Sequence, residues 1–146
     1  MPAARSRANV VWEGDLAKGK GNLNVESGIL TNQEITWAAR TQRVKGTTSP
    51  EELLAAAHAG CYAMAFSSTL AKAGTPPTRL LVDATATFEV TEAGARITAM
   101  ELEVHGVVPG LDQARFEELA RQGEQGCPVS NALRNNVQIS VKAHLE

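Results

Sequence analysis

The chain has no large excess of charge of either sign. Its 146 residues include 14 Lys and Arg against 16 Asp and Glu, which gives a formal net charge of −2. No basic stripe predicts a nucleic-acid interface, and no block of like charges predicts an interaction tail. Internal repeats and low-complexity tracts are also missing. We therefore expect no nucleic-acid partner, and a single domain that spans residues 1–146 with a sizeable core.

A long uninterrupted hydrophobic run is missing as well. The longest apolar stretch, LLAAAHAGCYAMAF at residues 53–66, contains a histidine and is shorter than the roughly 20 residues of a membrane span. The N-terminal MPAARSRANVVWEGD turns polar too early for the apolar region of a secretory signal. The sequence therefore predicts no membrane partner and a cytoplasmic protein.

Cysteine occurs only twice, at Cys61 and Cys127. A reducing cytoplasm disfavours structural disulfides, so a redox pair, metal ligation and two unrelated buried thiols all stay open. A metal site around Cys61 would have to recruit His58, His105 and Cys127, and their spacing does not match a structural zinc site. Neither a Gly-x-Ser-x-Gly turn nor a Gly-rich phosphate loop is present. We expect no metal ligand and no cofactor.

One segment, TTSPEELLAAAHAGCYAMAFSSTLAKAG, carries clear helix signals at both ends. Ser49 is the expected N-cap, Pro50 the first helical residue and Glu52 the capping-box acid. Gly74 then closes the helix. Leu53, Leu54, Ala57, Cys61, Met64, Ala65 and Leu70 keep a helical period, yet the opposite side is also small and apolar. A helix that is apolar nearly all round must be surrounded, either in a core or at a subunit interface.

The remaining segments predict an α+β fold. RLLVDATATFEVTE and ARITAMELEVHGVV alternate as an antiparallel hairpin, and ANVVWEGD and GKGNLNVESGIL as an N-terminal meander. An amphipathic helix follows Asp112 and stops at Gly123 or Gly126, CPVSNALRNN is a short helix, and VQISVKAHLE is a final strand. ITWAARTQR is interpreted as a strand end followed by a loop. Because strands and helices do not alternate as βαβ units, antiparallel sheets are expected.

The two cysteines occupy different predicted environments. Cys127 precedes Pro128, so it is the expected N-cap of the short helix, where the helix dipole and free N–H groups would lower the pKa of its thiol. Cys61 lies in the middle of the long helix, where burial would raise the pKa of its thiol unless another segment supplied a cation. His58 shares its helix face and is most simply a hydrogen-bonded core histidine. Glu51, Arg40 and Arg43 are ordinary solvated charges on these grounds.

Several motifs together resemble the osmotically inducible protein C (OsmC) family. They are WEGD, GKG, ESGIL, SPEELLAAAHAGC, VPGLD and GCPVSNAL, and they extend from about residue 10 to the C-terminus. The resemblance implies an intertwined homodimer in which antiparallel sheets wrap long central helices. It also implies a thiol-dependent peroxidase related to the organic hydroperoxide resistance proteins. The position of the arginine in WAARTQ favours the OsmC branch of this family.

By the same resemblance, Cys61 would be the peroxidatic cysteine and Cys127 the resolving one. Glu51 would be the active-site acid, and Arg40 the arginine that holds the buried thiolate, with Arg43 as the alternative. The substrate would be an organic hydroperoxide. The reductant would be a dithiol such as dihydrolipoamide or a lipoylated protein. The competing hypothesis is a non-enzymatic stress or binding protein with structural cysteines.

Overall fold

Residues 1–146 are all described by a computed structural model. The elements, in chain order, are β1 (Ala8–Glu13), β2 (Lys20–Val25), β3 (Gln33–Ile35), α1 (Trp37–Gln42), α2 (Pro50–Lys72), β4 (Arg79–Thr91), β5 (Gly94–Val107), α3 (Gln113–Gln125), α4 (Pro128–Leu133) and β6 (Gln138–Leu145). The α+β class is therefore confirmed. The chain divides into two compact units, Met1–Pro50 and Glu51–Glu146. That one domain spans residues 1–146 stays a prediction.

The N-terminal unit is the predicted meander followed by an unpredicted helix. Its sheet has the order β1-β2-β3, and both pairings are antiparallel. The loop interpretation after Trp37 is wrong, because α1 forms there. Thr36 caps α1 by accepting a hydrogen bond from the Ala39 N–H at 3.0 Å. Ala38, Ala39, Arg40 and Gln42 favour a helix, but six residues are too few to be stable by propensity alone, so the helix depends on its cap and packing.

The C-terminal unit holds a second sheet with the order β4-β5-β6. β4 and β5 form the predicted antiparallel hairpin. β6, however, pairs with β5 in parallel, which departs from the antiparallel pairing expected from the sequence. A parallel pair requires a long crossover connection, and α3 and α4 supply it between β5 and β6. Asp112 caps α3 as predicted, and of the two glycines expected to end the helix it is Gly126, not Gly123, that does so.

Helix α2 has the predicted ends, and one of its faces is buried within the chain. It begins at Pro50, and beyond its end Gly74 takes a left-handed φ of 83°. The N–H groups of Gly74 and Thr75 donate to the carbonyls of Ala71 and Leu70, the two bonds of a Schellman cap. The buried residues are Glu51, His58, Tyr62, Phe66 and Leu70.

The opposite side of α2 is exposed within the chain. Met64, one of the residues of the predicted helical period, has 71% of its surface exposed, and Ala56, Ala57 and Gly60 are exposed as well. The complete helix is long and apolar enough to cross a membrane by length and composition, so the length argument made from residues 53–66 is wrong. Its buried face nevertheless packs against a protein core through Tyr62, Phe66 and Leu70.

The core of this unit lies between the sheet and helices α2 and α3. It includes Tyr62, Phe66, Leu102, Val104, Phe116 and Leu119, all at most 2% exposed. The Phe66 and Phe116 rings are 5.1 Å apart, a favourable aromatic separation. Gly106 lies beneath Phe116, and a Cβ atom at Gly106 would come within 2.5 Å of the Phe116 ring. A glycine is therefore needed where this ring meets strand β5.

We expect Gly106→Ala to lower the free energy of unfolding by about 1–3 kcal/mol, the usual cost of overpacking a core. Phe116 is fully buried and has little room to move away from the new methyl group. Urea-induced unfolding measures the change. Gly126→Ala is the matched control, since a Cβ there would make an ordinary 3.7 Å contact. Equal stability of Gly106→Ala and the native chain would contradict this packing analysis.

Candidate active site

Cys127 lies at the N-cap of α4, as predicted, but its thiol does not act as a cap. The following Pro128 occupies the first turn, and the Cys127 side chain makes no capping hydrogen bond. The residue is fully buried in the core cluster. Its backbone carbonyl accepts from the Asn131 N–H at 3.0 Å, which begins the helix. The expectation that this thiol accepts from the N–H groups of the helix start is therefore wrong, and the alternative of a buried thiol is the one that the structure shows.

Cys61 lies on α2, where it is only partly buried, and its thiol contacts both the start of α4 and Cys127. Burial raises the pKa of the Cys61 thiol, as the sequence predicts for a position in the middle of a helix. A hydrogen bond from the Val129 backbone N–H lowers this pKa, and the hydrogen bond with the Cys127 thiol raises it further. The Val129 N–H at the start of α4 thus bonds Cys61, and the Cys127 side chain caps no N–H group of this helix. Both cysteines are in the free thiol form.

A buried hydrogen bond joins the two helices that carry the cysteines. His58 Nε2 and Ser130 Oγ are 2.7 Å apart, and both residues are fully buried. His58 precedes Cys61 by one helical turn on α2, and Ser130 follows Cys127 by one turn on α4. The expectation that His58 is a hydrogen-bonded core histidine is therefore confirmed. Burial lowers the pKa of His58, although the negative charge of Glu124 raises it in part.

Glu124 belongs to a second polar connection between α3 and the end of α4. Its carboxylate accepts from the Arg134 guanidinium at 2.9 and 3.4 Å, in a two-point contact. Arg134 also donates to Asn131 Oδ1 at 3.0 Å. Nearby, the Tyr62 hydroxyl donates to the Ala120 carbonyl at 3.0 Å, and burial raises the pKa of Tyr62 well above its usual range. These contacts tie α3 to the end of α4 and to α2.

The charged residues expected at the site have different locations. Glu51 is in the first turn of α2 and is buried, so it is not the surface acid that its position alone suggests. Arg40 lies in the last turn of α1, in the N-terminal unit. Arg43 ends α1 in a left-handed conformation, and its Nη1 donates to Ser49 Oγ at 2.7 Å and to the Ala39 carbonyl at 3.3 Å. These bonds hold the segment that leads from α1 to α2.

Ser130, Glu124 and Arg134 were not singled out from the sequence. Ser130 had a usable signal, because it lies three residues after Cys127 and shares its face of the short helix. Glu124 and Arg134 belong to different elements, and only the packing of α3 against α4 brings them together. Together, the thiols of Cys61 and Cys127 and the buried bonds around them define an α+β protein with a dithiol site between two helices.

Comparison with known proteins gives the same class. The family model described as "OsmC-like protein" matches residues 43–142. Peroxiredoxin OsmC of Escherichia coli is 39% identical over 128 residues, covering 88% of this chain and 89% of that protein. The organic hydroperoxide resistance protein of Xanthomonas axonopodis pv. citri is 30% identical over 95 residues, covering 64% of this chain and 65% of that protein. The chain belongs to the OsmC-like family.

A solved structure supports the assignment at the level of the fold. The organic hydroperoxide resistance protein OhrB of Bacillus subtilis superposes with a TM-score of 0.72 at 25% identity. The match covers 96% of this chain and 98% of that one. The family resemblance found in the sequence motifs is confirmed.

The buried His58 makes stability depend on pH in a defined direction. Because the folded chain lowers the pKa of His58 below the unfolded value of 6.5, the unfolded state binds the proton more readily. The contribution of His58 is therefore fully present above pH 6.5 and is lost as the pH falls from 6.5 toward the folded pKa. We expect the free energy of unfolding to drop between about pH 7.5 and about pH 5.5, on either side of the ordinary histidine value.

Urea unfolding of the native chain and of His58→Gln at the two pH values measures this contribution. Every other titratable group is common to the two proteins, so the difference between the two slopes isolates His58. Ser130→Ala should cost about 1–3 kcal/mol at the higher pH, because it leaves a buried ring nitrogen without its partner. Identical pH slopes in the native chain and His58→Gln would exclude the assigned protonation state.

Proposed function

We propose that this thiol-dependent peroxidase reduces organic hydroperoxides to alcohols through a Cys61 sulfenate and a Cys61–Cys127 disulfide, with a dithiol as reductant. One observation carries the proposal: the partly accessible Cys61 thiol is hydrogen-bonded to the fully buried Cys127 thiol. A peroxide arriving from solvent meets Cys61 first. Cys127 is already in place to react with what forms there.

In the first step the Cys61 thiolate attacks the terminal oxygen of ROOH and the O–O bond breaks. The sulfur is oxidised to a sulfenic acid, Cys61–SOH, and the alkoxide leaves as ROH after taking up a proton. The thiolate is the nucleophile in such reactions. The Val129 N–H favours this thiolate, while burial opposes it. A further positive charge is therefore required at the moment of attack.

In the second step the Cys127 thiol attacks the Cys61 sulfur, an S–S bond forms, and water leaves. The disulfide is then reduced by two thiol groups of the reductant, which itself becomes a disulfide. The buried state of Cys127 suits this role, because it reaches the sulfenic acid without competing for the peroxide. Disulfide formation with Cys127 also prevents oxidation of the Cys61 sulfenic acid to the sulfinic and sulfonic acids.

By resemblance to the family, we propose that Arg40 supplies the missing cation and that Glu51 positions it. A guanidinium cannot lose its proton, so it remains a cation next to an ionising thiol. Arg43 is the weaker candidate, because its Nη1 already bonds Ser49 and the Ala39 carbonyl. A buried carboxylate such as Glu51 is costly unless it is paired, which suits a fixed arginine partner.

The resemblance to the family also supports proposals for the oligomeric state, the cellular location, the reductant and the biological role. A cytoplasmic homodimer would cover the exposed Ala56, Ala57, Gly60 and Met64 face of α2. Dihydrolipoamide or a lipoylated protein is the proposed dithiol. The role would be defence against oxidative or osmotic stress.

Thiol counting separates the peroxidase from a non-enzymatic protein with passive cysteines. One equivalent of alkyl hydroperoxide should lower the number of free thiols from two to zero in the reduced native chain. Cys61→Ser should lose turnover and keep its remaining thiol, since a serine hydroxyl is a far poorer nucleophile. Cys127→Ser should form a sulfenic acid at Cys61, detectable by mass spectrometry after dimedone trapping. Two thiols left in the treated native chain would favour the passive alternative.

Arg40→Ala should slow peroxide reduction at neutral pH by about tenfold or more, since about 1.4 kcal/mol of lost thiolate stabilisation removes tenfold of the thiolate population. The pKa of the Cys61 thiol should rise, which the pH dependence of alkylation measures. Arg43→Ala is the matched control and should leave that profile unchanged. The reverse pattern in the two variants would transfer the role to Arg43.

A further inference from the structure

Two histidines and two glutamates gather on the sheet of the C-terminal unit, on the face away from the cysteines. The His105 and His144 rings stack with their centroids 4.6 Å apart. Glu103 Oε1 lies 2.9 Å from His144 Nε2 and 3.7 Å from His105 Nε2. The ligand atoms of Glu103, His105 and His144 lie within 4.8 Å of one another, and each of these side chains is between 33% and 48% exposed. No step of the peroxidase chemistry uses them.

The parallel register of β5 and β6 creates this cluster. His105 and His144 are direct partners across the two strands, and Glu103 lies two residues before His105 on the same face. The intervening Val104 points into the core instead. The arrangement is therefore set by backbone pairing, so the three donor groups are held on a rigid surface rather than on a loop.

The distances suit a small divalent metal ion. Zinc bonds to histidine nitrogen and carboxylate oxygen at about 2.0–2.1 Å, which places two ligand atoms of a tetrahedral site roughly 3.3 Å apart. The two Nε2 to Oε1 separations, 2.9 and 3.7 Å, lie on either side of that value. Because the two rings are stacked at an interplanar angle of 21°, they would also have to rotate about their Cβ–Cγ bonds so that both Nε2 atoms point at one ion beside the carboxylate.

A fourth residue is placed to orient one of these ligands. Glu146 Oε1 lies 3.6 Å from Nδ1 of His105, the ring nitrogen that does not face Glu103. The Glu146 backbone N–H donates to the Gly106 carbonyl at 2.9 Å, which fixes this residue beside β5. A carboxylate on the far nitrogen of a ligating histidine is the usual outer partner in zinc sites, where it sets the ring tautomer and orientation.

We propose that His105, His144 and Glu103 form a Zn²⁺ site on the outer face of the sheet, with Glu146 orienting His105. Two imidazoles and a carboxylate form a donor set of borderline softness, which suits zinc better than magnesium or calcium. Three protein ligands leave one position for water, which the exposure of the cluster permits. Bound zinc would join the edge strand β6 to β5 and stabilise the folded chain.

The charged residues directly opposite Glu103 in the register are Asp83 of β4 and Lys142 of β6, and Glu101 lies two residues before Glu103 on the same face. Asp83 adds negative charge beside the site and favours a cation. Lys142 is a competing cation, so its replacement should strengthen zinc binding while removal of a ligand should weaken it. This opposite pair of effects distinguishes a metal site from a surface that merely attracts ions.

The test uses the full-length chain without a histidine tag and zinc alone as the probe, with affinity measured by competition against a chromophoric chelator. We expect one Zn²⁺ per chain and a rise in melting temperature. His144→Asn and Glu103→Gln should each abolish chelator-competitive binding, and Glu146→Gln should weaken it by about 10–100-fold, the usual effect of losing an outer partner. Glu101→Gln, on the same face one step along β5, is the matched control and should bind normally.

Cobalt substitution separates this site from the two thiols. Co²⁺ bound here should show visible d–d bands with no thiolate charge-transfer band, and these bands should survive in Cys61→Ser/Cys127→Ser. Circular dichroism and peroxidase turnover of His144→Asn should match the native chain. Native-like zinc affinity in His144→Asn or Glu103→Gln, binding seen only at millimolar zinc, or a spectrum dominated by thiolate ligation would each overturn the proposal.

Discussion

The hydrogen bond between His58 and Ser130 is the constraint on which the cysteine pair depends. It joins α2 to α4 across 72 residues of sequence, in a fully buried place where loss of either partner is costly. Each partner lies one helical turn from a cysteine, so the bond sets the distance between Cys61 and the start of α4. The Glu124–Arg134 contact holds the end of α4 against α3. Together these polar contacts fix α4 relative to α2 and keep the two thiols close to each other.

Features with a local physical cause were predictable from the sequence. Pro50 and Gly74 mark the ends of α2, and Asp112 and Gly126 mark those of α3, because caps act on neighbouring backbone groups. The β4–β5 hairpin follows from alternation and a tight turn. Helix α1 was missed because six residues are too few to show a helical period, although most of them favour a helix. The parallel pairing of β6 has no local signature at all, since register is decided by what the connecting helices pack against.

The candidate site shows the same division between local and distant causes. The position of Cys127 before Pro128 was recognised, but local rules then led us to expect a thiol that accepts from the helix N–H groups. Packing of α4 against the core buries Cys127 instead, and the Val129 N–H bonds Cys61 from another element. A motif therefore identified both cysteines, whereas their accessibility followed only from the three-dimensional arrangement. Accessibility is what decides which thiol a peroxide meets.

The crossover formed by α3 and α4 determines which residues lie on each face of the sheet. On the inner face it places Cys127 and Ser130 beside α2, where they contact Cys61 and His58. Because it ends by returning the chain as a parallel strand, it also places His144 beside His105 on the outer face. A one-residue slip of β6 would move every side chain to the opposite face, exposing Val141 and burying Lys142. The register that forms the histidine pair is therefore the one that the apolar core requires, and neither face could be rearranged without disturbing the other.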